Sequence, residues 1–195
     1  MSERRQVEAR EPGRGSETSP DRAPLAGPGG LLIRAAVAAD APMVALLIEE
    51  LNADQREPLG HVTTAAVARD GFGSRPEFSV LLAELDGAVV GYALYHPSWS
   101  TEIGEPGLYL YDLYVRGAAR GHGVGRALMA AVAAVARKQG RTFLWWCSKD
   151  WNREAQAFYA RLGAIEETIR AHAVLGEAFD SLADSDRLGP AADSA

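Results

Sequence analysis

Three glycines fall within five residues in the segment Arg120-Gly121-His122-Gly123-Val124-Gly125. Glycine has no Cβ, so its backbone can approach a ligand closely. The segment also lies where a long helix is predicted to begin, and the unpaired N–H groups of a helix start carry the positive end of the helix dipole. The pattern indicates a site for a phosphate or pyrophosphate group, but a tight turn without a ligand has the same composition.

Two common phosphate-binding loops are excluded by the residues around these glycines. No Gly-Lys-Ser/Thr follows, so the segment is not a Walker loop. A dinucleotide-binding fingerprint needs a third glycine three residues after Gly123, where this chain has Arg126.

The segments on either side of the glycines add to the pattern. Asp112-Leu113-Tyr114-Val115 ends a predicted strand before the loop, and Asp150-Trp151-Asn152-x-x-Ala155-x-x-Phe158-Tyr159-x-x-Leu162-Gly163-Ala164 begins about 25 residues after it. Together they resemble the GNAT superfamily of acyl-CoA-dependent N-acetyltransferases, whose R-x-x-G-x-G element matches Arg120, Gly123 and Gly125. The resemblance covers residues 31–183. It is greatest to the diamine (spermidine/spermine) and thialysine acetyltransferase branch, through Asp70-Gly71-Phe72-Gly73 and the strand Leu-Tyr-Leu-x-Asp-Leu-Tyr-Val.

The resemblance implies acetyl-CoA as co-substrate. No metal is expected, because His61, His96 and His122 lack the spacing of metal ligands. The strand ending at Val115 and the strand holding Trp145 would separate to leave a slot for acetyl-CoA. Backbone groups of the first strand would polarise the thioester carbonyl, and N–H groups of the loop would bind the pyrophosphate. The expected cofactor-binding residues are Leu113, Tyr114, Val115, Arg120, Gly121, His122, Gly123, Val124, Gly125, Arg126, Asn152 and Ala155.

The resemblance also implies a general acid, Tyr159, which would protonate the departing thiolate. A phenol with a pKa of ~10 can help a thiolate whose conjugate acid has a pKa of ~8.5. The acceptor amine must lose a proton before it attacks, and the base is left open between water relayed to Asp112 and His172. The expected substrate-binding residues are Tyr111, Asp112, Asp54, Trp145 and Trp146.

Two of these assignments have alternatives. The diamine branch has a carboxylate where this chain has Tyr111, which weakens a polyamine assignment. Trp145 and Trp146 are adjacent on a predicted strand and face opposite sides, so at most one points into the slot, and either can instead pack in the core.

The elements predicted around these residues alternate hairpins with strand-helix-strand units, in the order βααβββαβαβ. Strands are predicted from 31, over 78–85, 89–95, 108–115 and 142–147, with one or two more over 165–175. Helices are predicted from an Asp40 N-cap, over 63–71, from the glycine loop to 140, over 150–162 and over 176–183. The expected class is α/β (α+β): a GNAT fold with a mixed, mostly antiparallel sheet of about six to seven strands and flanking helices.

Composition limits the organisation of the chain and the classes of partner. The chain has 195 residues, 47% of them hydrophobic, and a net charge of -6. We expect one domain over 31–183, a flexible, charge-balanced arm over 1–30 and a flexible tail over 184–195. The acidic balance argues against nucleic acid, no apolar run approaches the ~20 residues of a membrane span, and the single Cys147 fits the cytoplasm.

The function expected from the sequence is direct transfer of an acetyl group from acetyl-CoA to a primary amine, a small polyamine or a lysine-like amine. The enzymatic alternative is a protein lysine or N-terminal acetyltransferase. The alternative of another class is an acetyl-CoA-binding sensor module without turnover. By resemblance to the branch, we expect a homodimer.

Overall fold

The computed structural model describes residues 25–26 and 30–185, in two compact units, Met1–Lys149 and Asp150–Ala195. The boundary between the units falls inside the predicted domain over 31–183. The predicted arm over 1–30 and tail over 184–195 lie almost entirely outside the described residues.

The first unit is built on one sheet whose strands lie in chain order. The strands are β1 (Leu25–Ala26), β2 (Leu31–Ala35), β3 (Ser79–Leu85), β4 (Ala88–Ser100), β5 (Glu105–Val115) and β6 (Phe143–Trp146). Neighbours are antiparallel except β5 and β6, which are parallel. The mixed, mostly antiparallel sheet is confirmed. The predicted count of strands is slightly high, because β1 has only two residues and the other five strands make up the body of the sheet.

Helices cover both faces of this sheet. The helices of the first unit are α1 (Ala41–Gln55), α2 (Thr64–Phe72) and α3 (Val124–Lys138). α1 and α2 form one core with Leu82, Tyr92 and Leu94. Leu81 and Ala93 alternate with those residues along β3 and β4 and are buried on the opposite face, and α3 lies along β2 to β6. This arrangement holds both sides of β4 and β5 in place next to the glycine loop.

The predicted start of α1 is in place, but Asp40 does not cap the helix. A short 3-10 turn, Ala38–Asp40, precedes α1. The Asp40 carboxylate accepts hydrogen bonds from Arg34 Nη1 at 2.7 Å and from the Val37 N–H at 2.8 Å. The Arg34 guanidinium is the main reason that the pKa of Asp40 lies below its ordinary value. The carboxylate therefore ties β2 to the turn before α1 instead of capping the helix.

The two hairpins of the sheet differ in how well the sequence predicts them. The Asp86-Gly87 dipeptide predicts a tight turn between two strands, and φ values of 51° and 81° confirm it. The Pro, Ser, Thr and Gly residues of 97–107 predict an exposed loop, but this stretch belongs mostly to the strands: β4 continues to Ser100 and β5 begins at Glu105. Cross-strand pairing, including Trp99 opposite Pro106, overrides the turn-like composition of this stretch.

The second unit contains two helices, α4 (Arg153–Arg161) and α5 (Glu177–Asp184). The prediction of one or two strands over 165–175 is wrong, because these residues have no regular secondary structure. A strand needs a neighbour to satisfy its backbone groups. The described residues of this unit contain no other strand that could provide one. No helix in the described part of the chain has the length and apolar character that a membrane span requires.

Candidate active site

At one point β5 contains an extra residue relative to β4 and stops pairing with β6. In the register with β4, Leu94 pairs with Asp112 and Tyr95 with Leu110, which leaves Tyr111 as the extra residue of a β-bulge. The parallel pairing of β5 with β6 ends at Leu110, opposite Trp146. Residues 111–115 therefore have no strand beside them on the β6 side among the described residues, and their backbone groups face the place where the resemblance puts a slot.

The glycine loop between β5 and α3 has the geometry of an anion site. Gly121 and Gly123 have φ values of 80° and 79°, which an L side chain rarely adopts. The first hydrogen bond from the body of α3 back to the loop runs from the Ala127 N–H to the Gly123 carbonyl, at 3.0 Å. The N–H groups of residues 124–126 precede that bond, so they are the unpaired donors of a helix start. These residues fit a pyrophosphate group.

Two ion pairs join the end of α1 to the segment that leads into the loop. Arg116 donates to both carboxylate oxygens of Glu50, at 2.9 and 2.7 Å. Arg120 donates to Asp54 Oδ2 at 2.7 Å and, through Nε, to the Val115 carbonyl at 2.9 Å. The Asp54 carboxylate, expected to bind substrate, is thus used to hold Arg120. We name these four side chains the α1 clamp: Glu50, Asp54, Arg116 and Arg120.

A partly buried carboxylate lies next to the bulge. The Tyr92 hydroxyl donates to Asp112 Oδ2 at 2.9 Å. Burial raises the pKa of Asp112 above its ordinary value, and the hydrogen bond from Tyr92 opposes that rise. A carboxylate with a raised pKa is a stronger base than an exposed one. Tyr92 was not identified from the sequence, where it reads as one more apolar residue of β4.

Three aromatic rings pack together at the bulge. Tyr111 lies 5.0 Å from both His96 and Tyr109 between ring centroids, and His96 lies 5.4 Å from Tyr109. We name these three residues the aromatic platform. Burial, with a hydrogen bond to Cys147, raises the pKa of Tyr109 to about 12. Tyr111 is 63% exposed. From sequence spacing, His96 and Tyr109 were not assigned to a site: alternation puts Tyr109 on the face of Tyr111, but the pairing of His96 with Tyr109 depends on the register between β4 and β5.

The predicted tryptophans lie on β6 beside this platform. Trp145 pairs in register with Tyr109 and is exposed, whereas Trp146 pairs with Leu110 and is half-buried. This difference in exposure is consistent with the opposite orientations expected for adjacent residues of a strand. A role for either one in binding substrate stays a prediction.

Three predicted site residues belong to the second unit. The side chain of Asn152 caps α4 by accepting a hydrogen bond from the Ala155 N–H at 3.1 Å. Tyr159 is half-buried on α4, and its ring centroid lies 5.3 Å from that of Phe158. The roles of Asn152 and Ala155 toward acetyl-CoA and of Tyr159 as an acid stay predictions.

Comparison with known families decides what this arrangement is. The model of the Acetyltransferase (GNAT) family matches residues 44–164, which include most of α1, the bulge, the glycine loop and α4. The chain belongs to the GNAT acetyltransferase family. It is therefore an acetyl-CoA-dependent N-acetyltransferase, and the loop geometry described above fits that co-substrate. The described residues contain no cluster of three His, Cys, Asp or Glu side chains that could hold a metal ion.

Relatives and solved structures agree with this assignment. The acetyltransferase is 35% identical over 147 residues to the thialysine N-epsilon-acetyltransferase of Bos taurus, covering 71% of this chain and 86% of that one. It is 31% identical to the spermidine/spermine N(1)-acetyltransferase-like protein 1 of Homo sapiens, covering 69% of this chain and 20% of that one. An integron cassette protein from the mobile metagenome of V. cholerae has the same fold, with a TM-score of 0.67 at 23% identity, covering 80% of this chain and 99% of that one.

The raised pKa of Asp112 predicts a pH dependence of stability. Because folding raises this pKa, its contribution to stability is present at pH values below the ordinary Asp pKa and is lost as pH rises through the folded-state value. Asp112→Asn removes the titrating carboxyl group and, with it, this loss of stability at higher pH. Urea unfolding at pH ~4 and pH ~7 should show the Asn variant gaining free energy of unfolding relative to wild type as pH rises. Asp86→Asn, in the exposed hairpin turn, is the control, and an equal gain there would contradict the prediction.

Gly123→Ala should weaken binding of acetyl-CoA. At a φ of 79°, a Cβ costs about 1–2 kcal/mol, and relief of this strain would move the loop N–H groups. Gly104→Ala is a matched control, since Gly104 has a φ of 76° in the turn between β4 and β5 and also has no atom within 4 Å of an added Cβ. Both variants should lose similar free energy of unfolding, but only Gly123→Ala should raise the Kd for acetyl-CoA in calorimetry. Equal Kd values would exclude a role of this loop in binding.

Proposed function

We propose that this acetyltransferase transfers the acetyl group directly to a primary amine of a small cationic acceptor, a lysine-like amine or a polyamine. The observation that carries the proposal is Asp112, a partly buried carboxylate with a raised pKa, next to the bulge on the strand that leads into the glycine loop. The names of the two relatives, thialysine and spermidine/spermine acetyltransferases, support the same class of acceptor. The net charge of -6 also favours a cationic acceptor over an anionic one.

Backbone groups perform the binding of the co-substrate in this proposal. Acetyl-CoA supplies the acetyl group as a thioester when it is bound. N–H groups of residues 121–126 bind the pyrophosphate, and backbone groups of residues 113–115, which lack a neighbouring strand on the β6 side, bind the pantetheine arm and the thioester carbonyl. The α1 clamp fixes the segment between these two sets of donors through Arg116 and Arg120.

Asp112 is the proposed base. An amine with a pKa of ~10.4 is largely protonated at neutral pH and must lose a proton before it attacks. Asp112 accepts that proton through a water molecule, and the Tyr92 hydroxyl fixes the orientation of the carboxylate. His172, the other base considered, is exposed in a segment without regular secondary structure, which supports Asp112 as the choice.

Tyr159 is the proposed general acid, and its hydroxyl donates a proton to the departing thiolate. The position of Tyr159 on α4, within the part of the chain matched by the family, supports this role. Asn152 and Ala155 at the start of the same helix are proposed to contact acetyl-CoA. On the acceptor side, Tyr111 and Trp145 present exposed rings next to Asp112 and Tyr109 respectively.

We also propose that the acetyltransferase is a cytoplasmic homodimer. The single cysteine, Cys147, supports a reducing compartment. Large apolar side chains of the second unit are exposed, among them Ile165 at 99% and Leu175 at 78%. Exposed apolar groups of this size commonly mark interfaces between proteins.

Tyr159→Phe tests the reaction. Loss of the hydroxyl should lower kcat about 100-fold or more, because general acid catalysis commonly contributes that much. The Kd for acetyl-CoA, measured by calorimetry, should stay unchanged because the ring is kept. Turnover is followed by thiol release with a panel of small amines.

The same panel separates the alternatives. Acetylation of lysine peptides but of no small amine would indicate that the acceptor is a protein lysine and not a small amine. Binding of acetyl-CoA without turnover of any acceptor would indicate a sensor module. An unchanged kcat in Tyr159→Phe would remove the general-acid role.

The homodimer predicts a molar mass twice that of the 20.8 kDa chain in light scattering. Ile165→Glu places a charge among the exposed apolar residues and should shift the protein toward monomer. Arg161→Glu, on the exposed side of α4, is a control for added charge in the same unit. A monomeric wild-type protein would contradict the proposal.

A further inference from the structure

We propose that the aromatic platform binds a second positive charge on the acceptor, separate from the amine that is acetylated. The inference rests on the proposed function and adds a specificity determinant to it. The acceptors it selects are amines with a second ammonium group. The feature that carries it is the exposed ring of Tyr111, supported from behind by His96 and Tyr109 and followed in the chain by the Asp112 carboxylate.

The geometry presents one ring to solvent and holds it rigidly. Tyr111 is the extra residue of the bulge and is 63% exposed. The rings of His96 and Tyr109, both half-buried, lie 5.0 Å from it. A large aromatic side chain that is exposed and yet fixed by two other rings offers an open π face at little cost in side-chain entropy.

The local charges favour a cation on that face. The faces of aromatic rings are electronegative and attract ammonium groups. Tyr109, with its pKa raised to about 12, stays uncharged at neutral pH. His96 Nδ1 carries a proton, because it lies 2.7 Å from the Pro97 carbonyl oxygen, which only accepts; in the neutral ring Nε2 is therefore an acceptor.

The described contacts that hold the platform are with other rings and with the chain around it. The three rings contact one another, His96 Nδ1 contacts the Pro97 carbonyl, and Tyr109 is hydrogen-bonded to Cys147. Of the nearby arginines, Arg116 and Arg120 are bound to carboxylates of α1, and Arg141 donates to the Gly107 carbonyl at 3.0 Å. An acceptor with an ammonium group at its distal end is thus favoured over one with a neutral or anionic end.

The experiment compares putrescine with butylamine, which share a chain of four carbons and differ in the second amine. Each is titrated by calorimetry into the enzyme saturated with CoA, where no transfer takes place, and each is assayed for turnover with acetyl-CoA. The variants are Tyr111→Leu, which removes the π face, and Tyr111→Phe, which keeps it. Trp99→Leu, at another exposed aromatic residue of the same hairpin, is the matched control.

Wild type should bind putrescine more tightly than butylamine. Tyr111→Leu should raise the Kd and the KM for putrescine about 2- to 30-fold, the range of a cation–π contact, and should raise those for butylamine less. Tyr111→Phe and Trp99→Leu should resemble wild type. Retained unfolding midpoints show that each variant is folded.

Two results would overturn the inference: equal affinity of wild type for the two amines, or an equal effect of Tyr111→Leu on both. A preference for putrescine that depends on Tyr111, without acetylation of either amine, would support the platform and refute the proposed function. Acetylation of both amines with no dependence on Tyr111 would support the proposed function and refute the role of the platform.

Discussion

The active site of this acetyltransferase depends on one irregularity in β5. At Tyr111 the strand takes in an extra residue, and its parallel pairing with β6 has already ended at Leu110. Tyr111 contacts the rings of His96 and Tyr109, and the next residue, Asp112, accepts a hydrogen bond from the buried hydroxyl of Tyr92. Beyond Leu110, no strand of the described residues pairs with the β6 side of β5. A regular strand in this place would keep its backbone donors in the sheet and leave none for a ligand.

The α1 clamp adds support to the end of β5, which pairs with β4 but has no described strand on its β6 side. Glu50 and Asp54 are one helical turn apart on α1, and they bind Arg116 and Arg120, which have the same spacing along the chain. Arg120 also holds the Val115 carbonyl, the last acceptor of β5. Side-chain contacts from a helix thus replace part of the support that strand pairing gives elsewhere in the sheet. Arg120, predicted to bind the cofactor, thus also has a structural partner in Asp54.

The sequence predicted the family, the class of fold and the turns that glycine controls, because each depends on local patterns. Asp86-Gly87 and the loop at Gly121 and Gly123 have the positive φ values their composition implies. What could not be predicted depends on pairing between distant residues. The bulge at Tyr111 is visible only in the register with β4, and residues 165–175 have strand-like composition but no described strand in their unit. Asp54 is a further case, since its carboxylate accepts a hydrogen bond from Arg120, 66 residues away in the chain.

The two ion pairs of the α1 clamp differ in exposure, and this gives the loop a sensitivity to ionic strength. The side chains of Arg120 and Asp54 are 43% and 49% exposed, against 32% and 29% for Arg116 and Glu50. Dissolved salt screens exposed pairs more than sheltered ones. In concentrated salt the pair next to the loop weakens first, while the pair farther back continues to hold β5 on α1. The end of β5 next to the glycine loop is thus held by the contact that responds most to the ionic strength of its surroundings.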